Sequence, residues 1–299
     1  MNFTVTGATG FIGRRLVRRL LAEGHSVHVL SRKVRAGFAP EVRSSAWDPE
    51  REDPPADSLS TADAVIHLAG APVAQRWTPI AKGRIRESRV EGTKRLVGAL
   101  AALSKRPQAL VSASAVGYYG SRGDEVLSEA SSPGRGFLSE VCIQWENSAM
   151  EAEPLGVRVV RLRIGVVLGK EGGALARMLP AFQWGMGGRL GSGKQWMSWI
   201  HVEDLVSLML FAAQSPNLRG PVNATAPNPV NNAEFTAILA DVLRRPALIP
   251  APAFAIRTLF GEMAEILLDG QRVLPQTALA AGFEFRHPGL KSAIQDLLA

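Results

Sequence analysis

Through the first half of the chain, short apolar runs rich in β-branched residues alternate with longer stretches whose apolar positions recur every three or four residues. Residues 2–6 (NFTVT) and 26–30 (SVHVL) read as buried strands. Between them Ile12, Leu16, Val17, Leu20 and Leu21 form one helical stripe that stops at Gly24. Further strands are expected at 63–69 (DAVIHLA), 108–114 (QALVSAS) and 157–164 (VRVVRLRI). The stretch 82–104 carries Val90, Leu96, Val97, Leu100 and Leu103 on one helical face, and 137–153 predicts a second helix before the last of these strands. Parallel strands need such crossovers, which are almost always right-handed. The pattern therefore predicts an α/β fold, a Rossmann-type doubly wound parallel sheet.

The texture changes after residue 165. GMGGRLGSG at 185–193 reads as a glycine-rich loop, and PNPVNN at 227–232 as a turn cluster that starts a helix. Pro246, Pro250 and Pro252 punctuate the C-terminal stretch, leaving short helices and one more strand, FEF, at 283–285. The expected plan is a dinucleotide-binding domain over 1–165, to which 196–226 returns, and a smaller, mostly helical substrate domain made of 166–195 and 227–299. A ligand cleft would lie between them.

Composition narrows the partners. With 299 residues, 46% of them apolar and 20% charged, the chain can bury a sizeable core and is not a disordered one. No apolar run approaches the ~20 residues of a spanning helix, and MNFTVTGATG lacks the features of a signal peptide, so a cytoplasmic protein without a membrane partner is expected. The single cysteine, Cys142, fits a reducing compartment. The charge is +7, which raises the question of an anionic partner.

Thr6-Gly7-Ala8-Thr9-Gly10-Phe11-Ile12-Gly13 comes directly after the first strand and opens the first helix. Gly7 and Gly10 would let the backbone turn tightly against a pyrophosphate, Gly13 would let helix and strand pack closely, and the helix N-terminus would present N–H groups to phosphate. A ligand-free glycine turn is the competing reading. The context is the one a dinucleotide-binding loop requires, with Thr9, Phe11 and Ile12 completing it. At the end of the second strand, where an acid would select NAD, stand Ser31-Arg32-Lys33, and no acid appears until Glu41. A hydroxyl and a guanidinium suit a 2′-phosphate, so NADP(H) is the expected cofactor. Solvated loop charges are the alternative.

At this point the residues resemble the extended short-chain dehydrogenase/reductase superfamily: TGATGFIG, HLAG at 67–70, SAS at 112–114 and WIHVED at 199–204 stand in its order. SRK at 31–33, ESRVEGT at 87–93, GYYG at 117–120, FLSEVCIQWE at 137–146 and GSGKQWMSWIHVEDL at 191–205 resemble its "epimerase family protein" branch. The run from PNPVNNAEFT through RPALIPAPAF to GFEF resembles that branch's small C-terminal domain. The resemblance implies that Leu68, Ala69 and Gly70 pass the adenosine and pyrophosphate side of the cofactor. Arg89 stands where many relatives carry an Asn, and would contact phosphate or ribose; an exposed helix residue is the other reading.

The superfamily's chemistry needs a Ser or Thr at the end of the 108–114 strand and a Tyr-x-x-x-Lys pair on the next helix, the Lys lowering the Tyr pKa. Ser114 matches the first, with Ser112 as a substitute. The pair is missing: residues 136–150 contain no Tyr, Lys or Arg, and Phe137 and Val141 at the right spacing exchange no proton. The chain's two tyrosines, Tyr118 and Tyr119, lie in the loop after Ser114. We therefore expect Ser114 with one tyrosine, preferably Tyr119, as the proton-handling set; packing beneath a substrate loop is the alternative for both. Tyr118 and Arg122 share the four-residue spacing, but the flanking glycines remove helical geometry.

Other candidates point to structure. The five histidines lack metal-ligand spacing, so no metal site is expected, and Cys142 reads as a small buried hydrophobe. Glu140 and Glu146 would be bases only if buried, and solvated surface is their commoner fate. His201 is expected to bond near the domain junction, while Trp184, Trp196 and Trp199 either line a pocket or pack. Arg14, Arg15, Arg18 and Arg19 read as the solvated face of the first helix, whereas Arg32, Lys33, Arg35 and Arg89 are candidates for cofactor phosphate. No aromatic-interleaved basic stretch argues for nucleic acid. Two functions compete: an NADP(H)-dependent oxidoreductase or epimerase on a small polar substrate, nucleotide sugars being one class, and a non-catalytic NADP(H)-binding sensor or scaffold.

Overall fold

In the computed structural model, which describes residues 1–34 and 37–299, seven parallel strands form one sheet; Arg35 lies outside the described residues. They are β1 (Asn2–Thr6), β2 (Ser26–Ser31), β3 (Arg43–Ala46), β4 (Ala64–His67), β5 (Ala109–Ala115), β6 (Arg158–Ile164) and β7 (Gly220–Ala224), in the order β7-β6-β5-β4-β1-β2-β3. The chain winds outward from β1 to one edge, then returns to β4 and winds to the other. This reversal opens a crevice at the C-terminal ends of β1 and β4, where open α/β sheets bind ligands.

Helices cover both faces. α1 (Phe11–Ala22) buries Leu16, Val17 and Leu20, and α5 (Val202–Gln214) buries Leu205, Leu208 and Met209 in the same core with Val5, Val29 and Ile66. On the other face α2 (Pro79–Ala101) brings Leu96, Val97 and Leu100 against Trp47, Val65 and Leu110. α2 begins three residues before the expected position because Thr78 caps it, its side chain accepting from the Ala81 amide, and Pro79 takes the first turn. α3 (Phe137–Met150) lies beside α2, and α4 (Gly173–Gln183) comes after the last turn of the β6 region.

Three elements depart from the expected pattern. β3 is a polar edge strand (RSSA) with no apolar signal, and β7 opens with Gly-Pro, which reads as a turn; each forms because a neighbouring strand offers its edge. The strand expected at 283–285 does not form. Phe283 instead packs edge-on against Phe285 and tilted against Phe211 of α5, an aromatic wedge that needs no ladder.

The C-terminal part is helical: α6 (Asn232–Leu243), α7 (Ala253–Phe260) and α8 (Leu290–Leu298), with shorter turns between. Asn231 and Glu234 cap α6 reciprocally. His201 caps α5 through Nδ1, and the Asp204 carboxylate accepts from the Arg286 and His287 amides, tying the C-terminal segment to the sheet's helices.

Candidate functional site

The loop after β1 is held by close backbone approach. A Cβ on Gly7 would lie 2.6 Å from the Leu68 carbonyl, and one on Gly13 would lie 2.5 Å from the Ala8 Cα and the Gly7 oxygen. Gly7 also has φ +66, where a side chain is strained. The Gly10 amide donates to the Gly7 oxygen, and α1 starts at Phe11 with Gly10 as an N-cap that offers no side-chain oxygen. The first amides of the helix are thus left for a ligand or water. Thr9 and Gly10 are exposed at the turn; the Thr9 carbonyl accepts from Arg14 Nε. Phe11 does not face outward: its ring lies under Gly169 and Gly172, where any Cβ would collide with it. Ile12 is half-buried against the sheet core.

A buried polar chain fixes the end of β4 to this loop. Thr6 Oγ1 accepts from the Leu68 and Ala69 amides and lies 2.7 Å from His67 Nδ1, so its own proton goes to that nitrogen. His67 Nε2 then donates to Thr93 Oγ1 at 3.0 Å. Burial pushes the His67 pKa down to about 4, which keeps the ring neutral in this role. Beyond it, Gly70 faces the Arg89 guanidinium, whose Cζ would lie 3.1 Å from a Gly70 Cβ. Arg89 donates to the Ala71 and Ile85 carbonyls and stacks 5.1 Å from the Trp145 ring centroid, so it is a half-buried part of the cleft wall.

At the end of β2 the Ser31 hydroxyl donates to the Lys33 carbonyl and closes the loop, while Arg32 and Lys33 are exposed. Among the described residues neither makes an ion pair. Arg14 reaches the same corner, with Cζ 5.8 Å from the Phe38 ring centroid.

The other end of the cleft is built from buried charge. Ser114 pairs with Arg163 in register across β5 and β6, and Arg163 with Asn223 across β6 and β7, so the three side chains form one row on one sheet face. α3 covers that face with Glu146. Its carboxylate accepts two bonds from Arg163, 2.8 Å from Nε and 2.9 Å from Nη2, and a third from Ser114 Oγ at 2.8 Å. Glu146 and Arg163 are each 3% exposed, which corrects the expectation of a solvated Glu146. A helix residue gave no sign of the arginine waiting 17 positions away on β6. Burial disfavours the Arg163 charge, but the bonds to Glu146 and the Tyr119 oxygen outweigh it and raise its pKa overall.

Tyr119 is sealed in the same network. It is 0% exposed; its hydroxyl donates to Asn223 Oδ1 at 2.7 Å and accepts from Arg163 Nη1 at 3.0 Å. Burial raises its pKa, partly opposed by Arg163. Tyr119, expected as the proton handler, thus has both sides of its hydroxyl bonded to protein. Tyr118 is half-buried with its ring 3.5 Å from Arg163 Cζ. Cys142 is buried beside Ser114, and burial together with the Glu146 charge pushes its thiol up to about 11, so it is no nucleophile. Phe137 packs against Trp77 near Val141, and Glu140 is exposed.

The remaining candidates separate. Trp199 is core, its indole donating to the Asn228 carbonyl; Trp196 bonds Asp124; Trp184 is exposed. His201, His287 and Asp296, far apart in sequence, come together with ligand-type atoms within 4.8 Å. The two rings stack at 3.9 Å, and His201 Nδ1 accepts from the Glu203 amide, so Nε2 carries the proton and faces Asp296 at 3.3 Å. That tautomer leaves no lone pair at Nε2 for a metal.

Residues 3–224 match the NAD dependent epimerase/dehydratase family, and residues 251–297 a domain of unknown function (DUF1731). Among curated relatives, an "Epimerase family protein SDR39U1 homolog, chloroplastic" from Arabidopsis thaliana is 45% identical over 100% of this chain and 87% of its own. Bacillus subtilis "Epimerase family protein YfhF" is 37% identical over 100% and 98%. Among solved structures, human epimerase family protein SDR39U1 (isoform2) with NADPH superposes with a TM-score of 0.89 at 34% identity, covering 99% of both chains. A nucleoside-diphosphate sugar epimerase from Corynebacterium glutamicum gives 0.80 at 36% identity, over 99% of this chain and 58% of its own.

Proposed function

The chain belongs to the NAD dependent epimerase/dehydratase family, and from that premise we propose that it binds NADP(H) and acts as an oxidoreductase or epimerase-like enzyme on a small polar substrate at the ends of β4, β5 and β6. The observation that carries the cofactor choice is the pair of exposed cations Arg32 and Lys33 at the end of β2, where a carboxylate would repel a 2′-phosphate. The human relative crystallised with NADPH supports the same choice. Gly7, Thr9, Gly10, Phe11, Ile12 and Gly13 would receive the pyrophosphate through backbone amides. Ser31 and Arg32 would hold the 2′-phosphate, while Leu68, Ala69, Gly70 and Arg89 would line the opposite wall. The loop fits such a group, because Gly10 caps α1 without a side-chain oxygen and leaves the first amides of the helix for a phosphate. When bound, the nicotinamide supplies or accepts a hydride.

Ser114 would meet the substrate. Its proton is spent on Glu146, so only its lone pairs are left to accept a bond from a substrate hydroxyl. Glu146 and Arg163 position that hydroxyl and hold it in this sense. Nucleotide sugars are the substrate class to test first, given what the C. glutamicum neighbour is called. The sealed Tyr119, together with the absence of Tyr, Lys and Arg from 136–150, favours a second reading, a non-catalytic NADP(H) binder.

Titration with NADPH and NADH, followed by nicotinamide fluorescence, tests the first reading. We expect NADPH to bind more tightly, and Arg32→Ala to cost NADPH about 1.5–3 kcal/mol while leaving NADH nearly unchanged. Equal weak affinity for both would overturn the NADP(H) assignment. Binding without oxidation across a panel of nucleotide sugars and carbonyl compounds would favour the non-catalytic reading.

A further inference from the structure

Two segments carry much of the charge surplus. Residues 172–202 and 242–261 contain no Asp or Glu, while Arg177, Arg189, Lys194, Arg244, Arg245 and Arg257 place six cations in them. All six are exposed, and among the described residues none makes an ion pair. Elsewhere some arginines find carboxylates, as Arg15 does with Glu203, Arg19 with Glu23, Arg122 with Glu125 and Arg163 with Glu146, while others such as Arg89 bond backbone carbonyls.

The fold sets the two segments side by side. The Ile249 amide donates to the Gly187 oxygen at 3.4 Å, the Ala251 amide to the Arg189 oxygen at 2.9 Å and the Gly191 amide to the Ala251 oxygen at 2.8 Å. Large apolar side chains project from this seam: Trp184 is 80% exposed, Met186 60%, Leu248 82%, Ile249 57% and Phe254 74%. Their exposure is built in. Arg244 ends α6 in the left-handed region at φ 52, and Pro246, Pro250 and Pro252 prevent the next segment from continuing as helix. Gly188 lies so close to the Ile249 carbonyl that a Cβ would stand 1.8 Å from it, which pins the two backbones and leaves their side chains outside. An open depression of about 620 Å³, lined by Gln183, Trp184, Gly185, Arg245 and Pro246, continues the face.

We propose that this face docks the protein peripherally on an anionic lipid bilayer. Protruding aliphatic and aromatic side chains suit the boundary between headgroups and acyl chains, guanidinium groups suit lipid phosphates, and the lack of carboxylates within both segments lowers repulsion. A nucleic-acid partner would leave the apolar tips without a role, and a protein partner would need its own surplus of acid. The expectation of no membrane partner rested on spanning segments. Among the described residues no helix is long and apolar enough to cross a membrane, and peripheral docking requires none. The proposal uses none of the residues assigned to the cofactor, so it stands whether or not the NADP(H) reading does.

The test is co-sedimentation of the full chain with phosphatidylcholine vesicles, with and without phosphatidylglycerol, across a salt series. Binding is expected only with phosphatidylglycerol and should weaken as salt rises. Arg244→Gln with Arg245→Gln, and separately Leu248→Ser with Ile249→Ser, should each lower vesicle binding about tenfold. Neither pair should change the melting temperature or NADPH affinity. No vesicle binding at low salt, equal binding to neutral vesicles, or undiminished binding by both variants would overturn the proposal. Concentration-dependent dimers in sedimentation velocity, lost in the Leu248→Ser/Ile249→Ser variant, would overturn it in favour of a second copy of the chain.

Discussion

The cradle at the ends of β1 and β4 and the network at the ends of β5 and β6 share one sheet edge but are made of different materials. In the cradle, Gly7 and Gly13 approach neighbouring backbone within 2.5–2.6 Å of where a Cβ would be, and the polar side chains there, Thr6, His67 and Thr93, stay neutral. In the network, a full ion pair is buried between Glu146 and Arg163, and Ser114, Tyr119 and Asn223 bond to one another or to a member of the pair. The cradle works by shape. The network works by pairing, so removing one member leaves a charge or donor without compensation, a cost shape alone does not impose.

The sharpest way to separate the two is Glu146→Ala, which strands Arg163. We expect a loss of about 3–5 kcal/mol in urea unfolding, with the surviving native protein still binding NADPH. A change under 1 kcal/mol, on the order of a surface pair, would mean water reaches the pair and the contrast fails.

The cradle has a smaller, pH-dependent signature. The unfolded chain protonates His67 near the ordinary value of 6.5, whereas the native protein resists until about 4, so native His67 binds fewer protons between those values. Stability is complete above pH 6.5 and falls as the pH drops, by about 3 kcal/mol on reaching pH 4. His67→Gln should flatten that slope in chemical unfolding measured from pH 7 to 4. An unchanged slope would place the titration elsewhere.

The smallest expected effect concerns Tyr119→Phe. Losing the bonds to Asn223 and Arg163 should cost about 1–2 kcal/mol of stability while leaving NADPH affinity, and any turnover found, unchanged. Unchanged stability with abolished turnover would return Tyr119 to the role of proton donor.

Legibility divides along the same line. The glycine spacing, the strand before it and the apolar stripe after it are local, and at Gly13 the loop has the close packing that the spacing anticipates. The missing Tyr-Lys pair was equally visible, as an absence within 136–150. The buried pair beside that helix was not. Glu146 looked like any helix acid, and Arg163 like a polar interruption in VRVVRLRI; the signal available was that a charge inside a buried-strand pattern needs a partner. The adjacency of 185–191 to 246–253 was hidden for the same reason, though both segments lack acids in plain view.

From its residues alone the chain determined a doubly wound sheet, a phosphate-type turn at its first crossover and a basic corner at the end of the second strand, because periodicity, glycine and charge act over a few neighbouring positions. Only the tertiary structure decided which polar groups would be buried together. Register across β5, β6 and β7 put Ser114, Arg163 and Asn223 in one row, and α3 laid Glu146 over it. In that enclosure a carboxylate and a guanidinium must pair, whereas on an open helix face the same residues would have remained in water.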